Sequence, residues 1–303
     1  MNKIVNYIIT LSLPITPKFI VKLFANKYIA GTNTIQALKS NKNINKSNMK
    51  ATIDILGEHT STVDESEKIT NKYVELLEKI YVNQLDCNIS IKLSHIGADI
   101  NKNLLIQNLK IINDTAIRTN NFVRLDMENH KLTDLTIELF KKSYNNSKNI
   151  GIVFQAYLHR TEQDIQSLQD GMNIRLCKGI YNEDLSIAIK DPQEINKNYI
   201  KLLKIGFKKN LFIGIATHDE QLIKKCCEII NIHNIDKNRF EFQVLYGVPI
   251  TKTIKSLLCK NYKVRVYVPY GQDWYKYSMR RLNENPNISK YILNNLFKKN
   301  FYK

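Results

Sequence analysis

Eight short runs of β-branched and other apolar residues recur along this chain, and each is followed by a stretch with helical periodicity. They are ATIDILG from Ala51, CNISIKLS from Cys87, NFVRLDM from Asn121, GIVFQAY from Gly151, MNIRLCK from Met172, LFIGIAT from Leu211, RFEFQVL from Arg239 and KVRVYVPY from Lys263. Runs of this length suit strands. Intervening segments such as SEKITNKYVELLEKIYVNQL place apolar residues three and four apart, as an amphipathic helix does. Eight strands alternating with helices predict an α/β protein built as one (β/α)8 TIM barrel. The rival is a doubly wound open sheet, but none of the ten glycines falls in a G-x-G pair, so the dinucleotide fingerprint and the Walker loop are both absent.

The reading divides the chain into a Lys/Asn-rich N-terminal helical segment, 1–50, and a barrel over 51–303. Asp191-Pro192 predicts a helix with an N-cap and an N1 proline, and Asp219 with Glu220 opens another. The fourth unit is the tightest, so its helix, near Glu162 to Gln169, must be short. The apolar start, MNKIVNYIITLSLPITPKF, reads as a surface helix rather than a secretory signal, for it lacks a small-residue cleavage site.

The formal charge is +17, from 45 basic and 28 acidic residues. Lysines are spread through the whole chain in short pairs such as Lys208-Lys209, which suits solvated faces rather than a nucleic-acid groove. Only eight of the basic residues are arginine, so arginines mark places where an ammonium will not serve. Five cysteines, an odd number without a C-x-x-C, point to a reducing compartment and to neither disulfides nor a zinc site.

In such a barrel, chemistry sits at the C-terminal ends of the strands. Those ends carry Glu58, Lys92, Asp126, Gln155, Arg175 with Lys178, Thr217 with His218, Tyr246 and Tyr267. Lys92, Asp126, Gln155 and Arg175 interrupt apolar runs, and a buried charge needs a partner or a ligand. After the eighth run, Tyr277, Arg280 or Arg281, and Glu284 share one helical face, and adjacent arginines suit a carboxylate. No metal-binding spacing occurs, and no G-x-S-x-G nucleophile motif. Cys177 reads as packing rather than as a nucleophile.

Blocks in this order resemble the proline dehydrogenase family: IKLS at 91–94, VRLDME at 123–128, FQAYLHRT at 154–161, RLCKGIY at 175–181, IATHD at 215–219, FQVLYG at 242–247 and VYVPYGQDWYKYSMRRLNENPN at 266–287. LGE at 56–58 and KYIAGT at 27–32 also fit. The length resembles the monofunctional bacterial type. The resemblance implies a barrel distorted in its final helix that binds FAD without a Rossmann motif. It implies oxidation of L-proline to 1-pyrroline-5-carboxylate, with a hydride passing from C5 to flavin N5, as the first step of proline degradation to glutamate.

By resemblance, Met127, Gln155, Arg175, Lys178, Gly179, Ile180, Thr217 and His218 would hold the flavin. Lys92, Arg280 and Arg281, with Glu284 on the same helical face as the arginines, would meet the substrate carboxylate. Leu245, Tyr267 and Tyr277 would shape the ring pocket, and Glu58 would pair with one arginine as a gate. Asp126 would orient this network, with a role as base for the amine proton as the alternative. Cys177, Ile180 and Asn182 depart from the usual pattern of their block but remove no charged group. The implied electron acceptor is a membrane quinone, reached from the cytoplasm through peripheral contact of a basic face, or from the matrix side in a mitochondrion. A basic barrel binding nucleic acid and a different flavin-barrel reductase are the competing readings. The first is disfavoured by the scattered lysines, and the second gives no reason for Arg280-Arg281 beside Tyr277.

Overall fold

The computed structural model describes residues 18–284. Helices α1 (Lys18–Tyr28) and α2 (Thr34–Lys46) precede the first strand. Eight parallel strands then close in chain order: β1 (Lys50–Ile55), β2 (Cys87–Ile91), β3 (Val123–Leu125), β4 (Ile150–Gln155), β5 (Asn173–Cys177), β6 (Phe212–Ala216), β7 (Phe240–Leu245) and β8 (Val264–Tyr270). Strand β8 pairs back onto β1 from Lys50↔Arg265 to Ile55↔Tyr270, which closes a (β/α)8 barrel. The crossover helices are α3 (Val63–Val82), α4 (Lys102–Arg118), α5 (Thr133–Asn146), α6 (Thr161–Gln166), α7 (Pro192–Lys208), α8 (Glu220–Ile232) and α9 (Thr251–Cys259), and α10 (Trp274–Glu284) follows β8. The short fourth crossover helix ends at Gln166 rather than near Gln169, because the Ser167 hydroxyl donates back to Asp164 O and the chain turns. The apolar start of the chain lies outside the described residues.

The two faces of each strand divide by chemistry. Ile53, Ile89, Leu125, Ile152, Ile215 and Val266 join helix residues such as Leu76, Leu109 and Leu203 in one buried apolar layer. Their neighbours Asp54, Ser90, Arg124, Arg175, Glu241 and Arg265 hydrogen-bond inside the barrel. A period of two puts alternate residues on opposite faces. The usual TIM interior is dominated by Val, Ile and Leu; here the aliphatic residues lie outside the barrel wall and its axis is polar.

Helix starts follow from local chemistry. Thr62, Asn101, Asp191 and Asp219 each accept amide hydrogen bonds as N-caps, and Pro192 fills the first turn of α7. All four caps follow a strand's C-terminal end, so the helix N-termini face that side of the barrel. The ring of outer helices is completed in an unusual way. Helix α2 packs on both β1 and β8, with Ala37 and Ile44 buried. It therefore occupies the place that a helix after β8 would take. Helix α10 instead packs on α1, where Trp274 and Tyr277 cover Ala25, Ile29 and Leu56. The five cysteines are free thiols, and among the described residues no helix is long and apolar enough to cross a membrane.

Asp219 does two jobs. Its Oδ1 caps α8, and its Oδ2 accepts from Lys178 at 2.8 Å and from Asn196 of α7 at 3.0 Å. Partial burial would raise this carboxyl, but the hydrogen bonds from Lys178, Leu222 and Asn196 outweigh it and bring it from 3.8 to about 2. A depressed carboxyl stabilises the fold above its unfolded value and loses that contribution as pH falls toward its folded value. Asparagine caps a helix as well as aspartate does, so Asp219→Asn isolates the charge. We expect it to cost about 1 kcal/mol or less at pH 7, given partial solvent screening. In urea titrations the gap to the wild type should shrink from pH 4 toward pH 2; a gap constant over that window would contradict the assignment.

Candidate active site

Side chains from three strands converge on one carboxylate at the C-terminal end of the barrel. Asp126 follows β3, and its Oδ1 accepts from Ser90 Oγ of β2 at 2.5 Å and from Arg175 Nη1 of β5 at 2.8 Å. Its Oδ2 accepts from the Tyr267 hydroxyl of β8 at 2.8 Å, and Lys92 Nζ stands 3.6 Å away. Lys92 donates to both oxygens of Asp54 on β1, each at 3.1 Å. The Arg175 guanidinium lies over the Tyr267 ring, 5.1 Å from its centroid. Two buried carboxylates therefore meet two buried cations, and this cluster is neutral.

The electrostatics follow from that packing. Burial would raise the Asp126 carboxyl, but Arg175, Lys92 and the hydroxyls of Ser90 and Tyr267 hold it below the usual carboxylate range. Burial dominates at Asp54 and pushes its carboxyl up, against the pull of Lys92. Lys92 would lose its proton more easily through burial, yet the carboxylates of Asp54 and Asp126 hold its ammonium well above the ordinary lysine value. Burial, with Asp126 and Asp54 adding to it, raises the Tyr267 phenol, so it remains a donor.

A rim of polar groups surrounds this cluster. Gln155 Nε2 donates to Met127 O at 3.2 Å and to Glu128 O at 3.4 Å, while its buried Oε1 has no partner among the described residues. Gly179 has φ +109°, and a Cβ there would fall 2.1 Å from the Tyr157 ring, so only glycine lets this loop, which continues into Ile180, lie so close. Lys178 stands beside it, paired with Asp219. Thr217 Oγ1 accepts from Asp219 N, and His218 Nε2 accepts from Leu245 N at 2.7 Å, which places the imidazole proton on Nδ1 and ties β6 to β7.

The structure thus gathers Lys92, Asp126, Arg175 and Tyr267, and sets Met127, Gln155, Lys178, Gly179, Thr217, His218 and Leu245 at the same end of the barrel. Glu58 follows β1 there, half-buried, within 4.8 Å of ligand atoms of His59 and Glu128. Glu128 is committed to Ser94, accepting from its amide and its hydroxyl. Tyr277 is packed at the α1–α10 contact. Arg280, Arg281 and Glu284 belong to α10, but their side chains lie outside the described residues. Tyr246 is a correction. It is buried, and its hydroxyl meets Ser40 of α2 at 3.4 Å, because one step beyond Leu245 a side chain turns to the outer face. The sequence reading missed Asp54, Ser90 and Gln243; their signal was a polar residue at every second position of a buried strand.

Breaking a buried ion pair by removing one partner costs about 3–5 kcal/mol, whereas replacing both partners is far milder. Asp54→Leu should therefore destabilise the fold by about 3 kcal/mol in denaturant titration, and adding Lys92→Met should restore most of that loss. A double variant no better than the single one would mean that the pair does not act as a unit.

Comparison with known proteins agrees with this architecture. The family model described as proline dehydrogenase matches residues 37–292. Proline dehydrogenase 1 of Bacillus subtilis subsp. natto is 33% identical over 279 residues, covering 92% of each chain. The proline dehydrogenase of Deinococcus radiodurans is 32% identical over 280 residues, covering 90% of each. Among solved structures, proline utilization A (PutA) from Bdellovibrio bacteriovorus, inactivated by N-propargylglycine, superposes with a TM-score of 0.78 at 26% identity over 91% of this chain. This chain covers 33% of that longer protein. The PutA of Corynebacterium freiburgense shares the fold, with a TM-score of 0.74 at 18% identity over 97% of this chain and 34% of its own. With a family model spanning most of its length and full-length relatives a third identical to it, this chain belongs to the proline dehydrogenase family.

Proposed function

We propose that this enzyme oxidises L-proline to 1-pyrroline-5-carboxylate with FAD held at the C-terminal mouth of the barrel. The observation that carries the reading is the neutral Asp54–Lys92–Asp126–Arg175 cluster at the strand ends, with Tyr267 against it. The donor set suits a flavin. The buried Gln155 Oε1 is an acceptor without a partner among the described residues, and an oxidised flavin ring carries one N–H. Met127, Lys178, Gly179, Ile180, Thr217 and His218 would complete its hold. When bound, the flavin would supply the two-electron oxidation of the substrate at its C5. Arg175 and Lys178 place positive charge where an electron-rich ring is favoured.

The cluster's charges are already balanced, so a substrate carboxylate needs further cations. Arg280 and Arg281 would supply them, Glu58 would pair with one of them as a gate, and Glu284 shares their helix face. Lys92, occupied by Asp54, offers its remaining N–H. Leu245, Tyr267 and Tyr277 bound the pocket that selects a small ring. Asp126 serves as an orienting group rather than a base, since a carboxylate held below its usual range and already accepting three hydrogen bonds takes a proton poorly. Electrons pass on to a membrane quinone, and the net charge of +17 suits contact with an anionic lipid surface.

The test is a visible spectrum of the purified protein before and after anaerobic L-proline. Flavin bands that bleach on addition are expected. A protein that takes up no flavin even from added FAD, or a bound flavin indifferent to proline, would overturn the reading. Arg281→Met should raise KM for proline about 10- to 100-fold, the worth of a charge-assisted hydrogen bond, and leave FAD bound. Equal loss of both would contradict the carboxylate assignment.

A further inference from the structure

We propose that Gln243 is a positioning residue for Arg175, and that Glu241 and Arg265 below it fix which way its amide points. The inference rests on the reading above, in which Arg175 faces the bound flavin. Two edges of the guanidinium are pinned: Nη1 donates to Asp126 at 2.8 Å, and Nε donates to Gln243 Oε1 at 2.5 Å. One hydrogen bond leaves a guanidinium free to rotate in its plane, and a second on another edge removes that freedom. Nη2 is then aimed by the other two.

A carboxamide has an acceptor end and a donor end, so Gln243 serves Arg175 only in one of its two orientations. Glu241 decides between them. Its Oε1 accepts from Gln243 Nε2 at 2.7 Å and from Arg265 Nε at 2.6 Å. Burial would raise this carboxyl, but Arg265 and Gln243 hold it below the usual range, so it accepts and does not donate. The amide nitrogen must therefore face Glu241, and the amide oxygen must face Arg175. Arg265 is anchored in turn by Nη1 on Ala51 O at 2.7 Å. Donors and acceptors thus alternate from the floor of the barrel to the site. Gln243 and Glu241 are 4% and 3% exposed, and in such a setting a misdirected polar group is costly.

Gly214 on β6 supplies an independent observation. Its φ does not lie in the left-handed region, so backbone conformation does not require glycine there. A Cβ at that position would instead fall 2.3 Å from Gln243 Nε2. The neighbouring strand leaves room for this amide. Apolar residues would fill a barrel interior at lower desolvation cost, and the device they would replace is the one that orients Arg175.

The test compares Gln243→Met, which removes the acceptor, with Gln243→Asn, which keeps an amide but withdraws it by one methylene. Each is measured as holoenzyme for kcat, KM for proline, and the reduced-to-oxidised flavin ratio at a fixed potential. We expect kcat to fall about tenfold with KM within about twofold, and the flavin ratio to move about tenfold. The exchange Glu241→Gln/Gln243→Glu preserves total charge and leaves each arginine an acceptor, with the hydrogen bond between the two side chains reversed, and should recover kcat to within about threefold of the wild type. Should Gln243→Met not fold, Gln243→Asn and the exchange decide alone. Arg175→Met separates the two layers of the argument. If it moves the flavin ratio while the Gln243 variants do not, the positioning role is overturned. If it leaves the ratio unchanged, Arg175 does not face the flavin and both readings fail. An exchange variant as impaired as Gln243→Met removes Glu241 from the device.

Discussion

Ionised groups in the interior of a parallel barrel are tolerated only where each meets a partner, and Asp126 is where this barrel meets that demand. Its two oxygens collect hydrogen bonds from β2, β5 and β8, strands that do not all adjoin β3 in the sheet. The carboxylate therefore cross-links the barrel through its centre, while backbone pairing links it only around its wall. Tyr267 enters twice, as donor to Asp126 and as a ring beneath the Arg175 guanidinium. The same carboxylate that accepts from Tyr267 also accepts from Arg175 and holds the guanidinium over that ring. Lys92 and Asp54 form the companion pair, close enough to Asp126 for the four charges to settle together.

A mouth already neutral has little attraction for an anionic ligand, and on the function proposed above the last helix would supply the missing charge. In a regular barrel the eighth helix packs outside the wall and stays far from the ligand. Here α2 takes that outer place against β1 and β8. Helix α10 is left to dock on α1, held by Trp274 and Tyr277 against Ala25, Ile29 and Leu56, the last of these next to the C-terminal end of β1. The helix carrying Arg280 and Arg281 is thus anchored at the mouth. The extra N-terminal helices and the arginine-bearing final helix are two parts of one arrangement.

Much of this was legible in the residues. The eight runs were visible because the outward positions are nearly all Ile, Val, Leu or Phe. Lys92, Asp126 and Arg175 stood out as charges inside those runs. Asp54 did not, although it sits in ATIDILG under the same rule, because it lies within β1 and Glu58 is the charge that stands beyond the strand's C-terminal end. Strands buried on both faces normally read as continuous apolar runs. CNISIK, FEFQVL and VRVYV alternate instead, and in a closed barrel that alternation marks a polar axis rather than a solvated face. Tyr246 was misplaced for the complementary reason. Counting one residue past Leu245 exchanges the inside for the outside. The replacement of the eighth outer helix by α2 had no local signal, since it depends on which apolar faces meet in three dimensions.

The separation of faces also separates stability from function along a single strand. Ile89 and Ser90 are adjacent, both fully buried, and belong to different systems. Ile89 joins the apolar layer between strands and helices, where burying a side chain of that size is worth about 1.5–3 kcal/mol. Ser90 contributes a hydrogen bond to Asp126, whose net worth to folding is about 1 kcal/mol. Desolvation of the axis offsets much of what its ion pairs gain. The fold therefore draws its stability from the outer layer, while the axis is kept for what it orients. A barrel organised this way can hold a reactive mouth in fixed geometry without asking the same residues to hold the protein together.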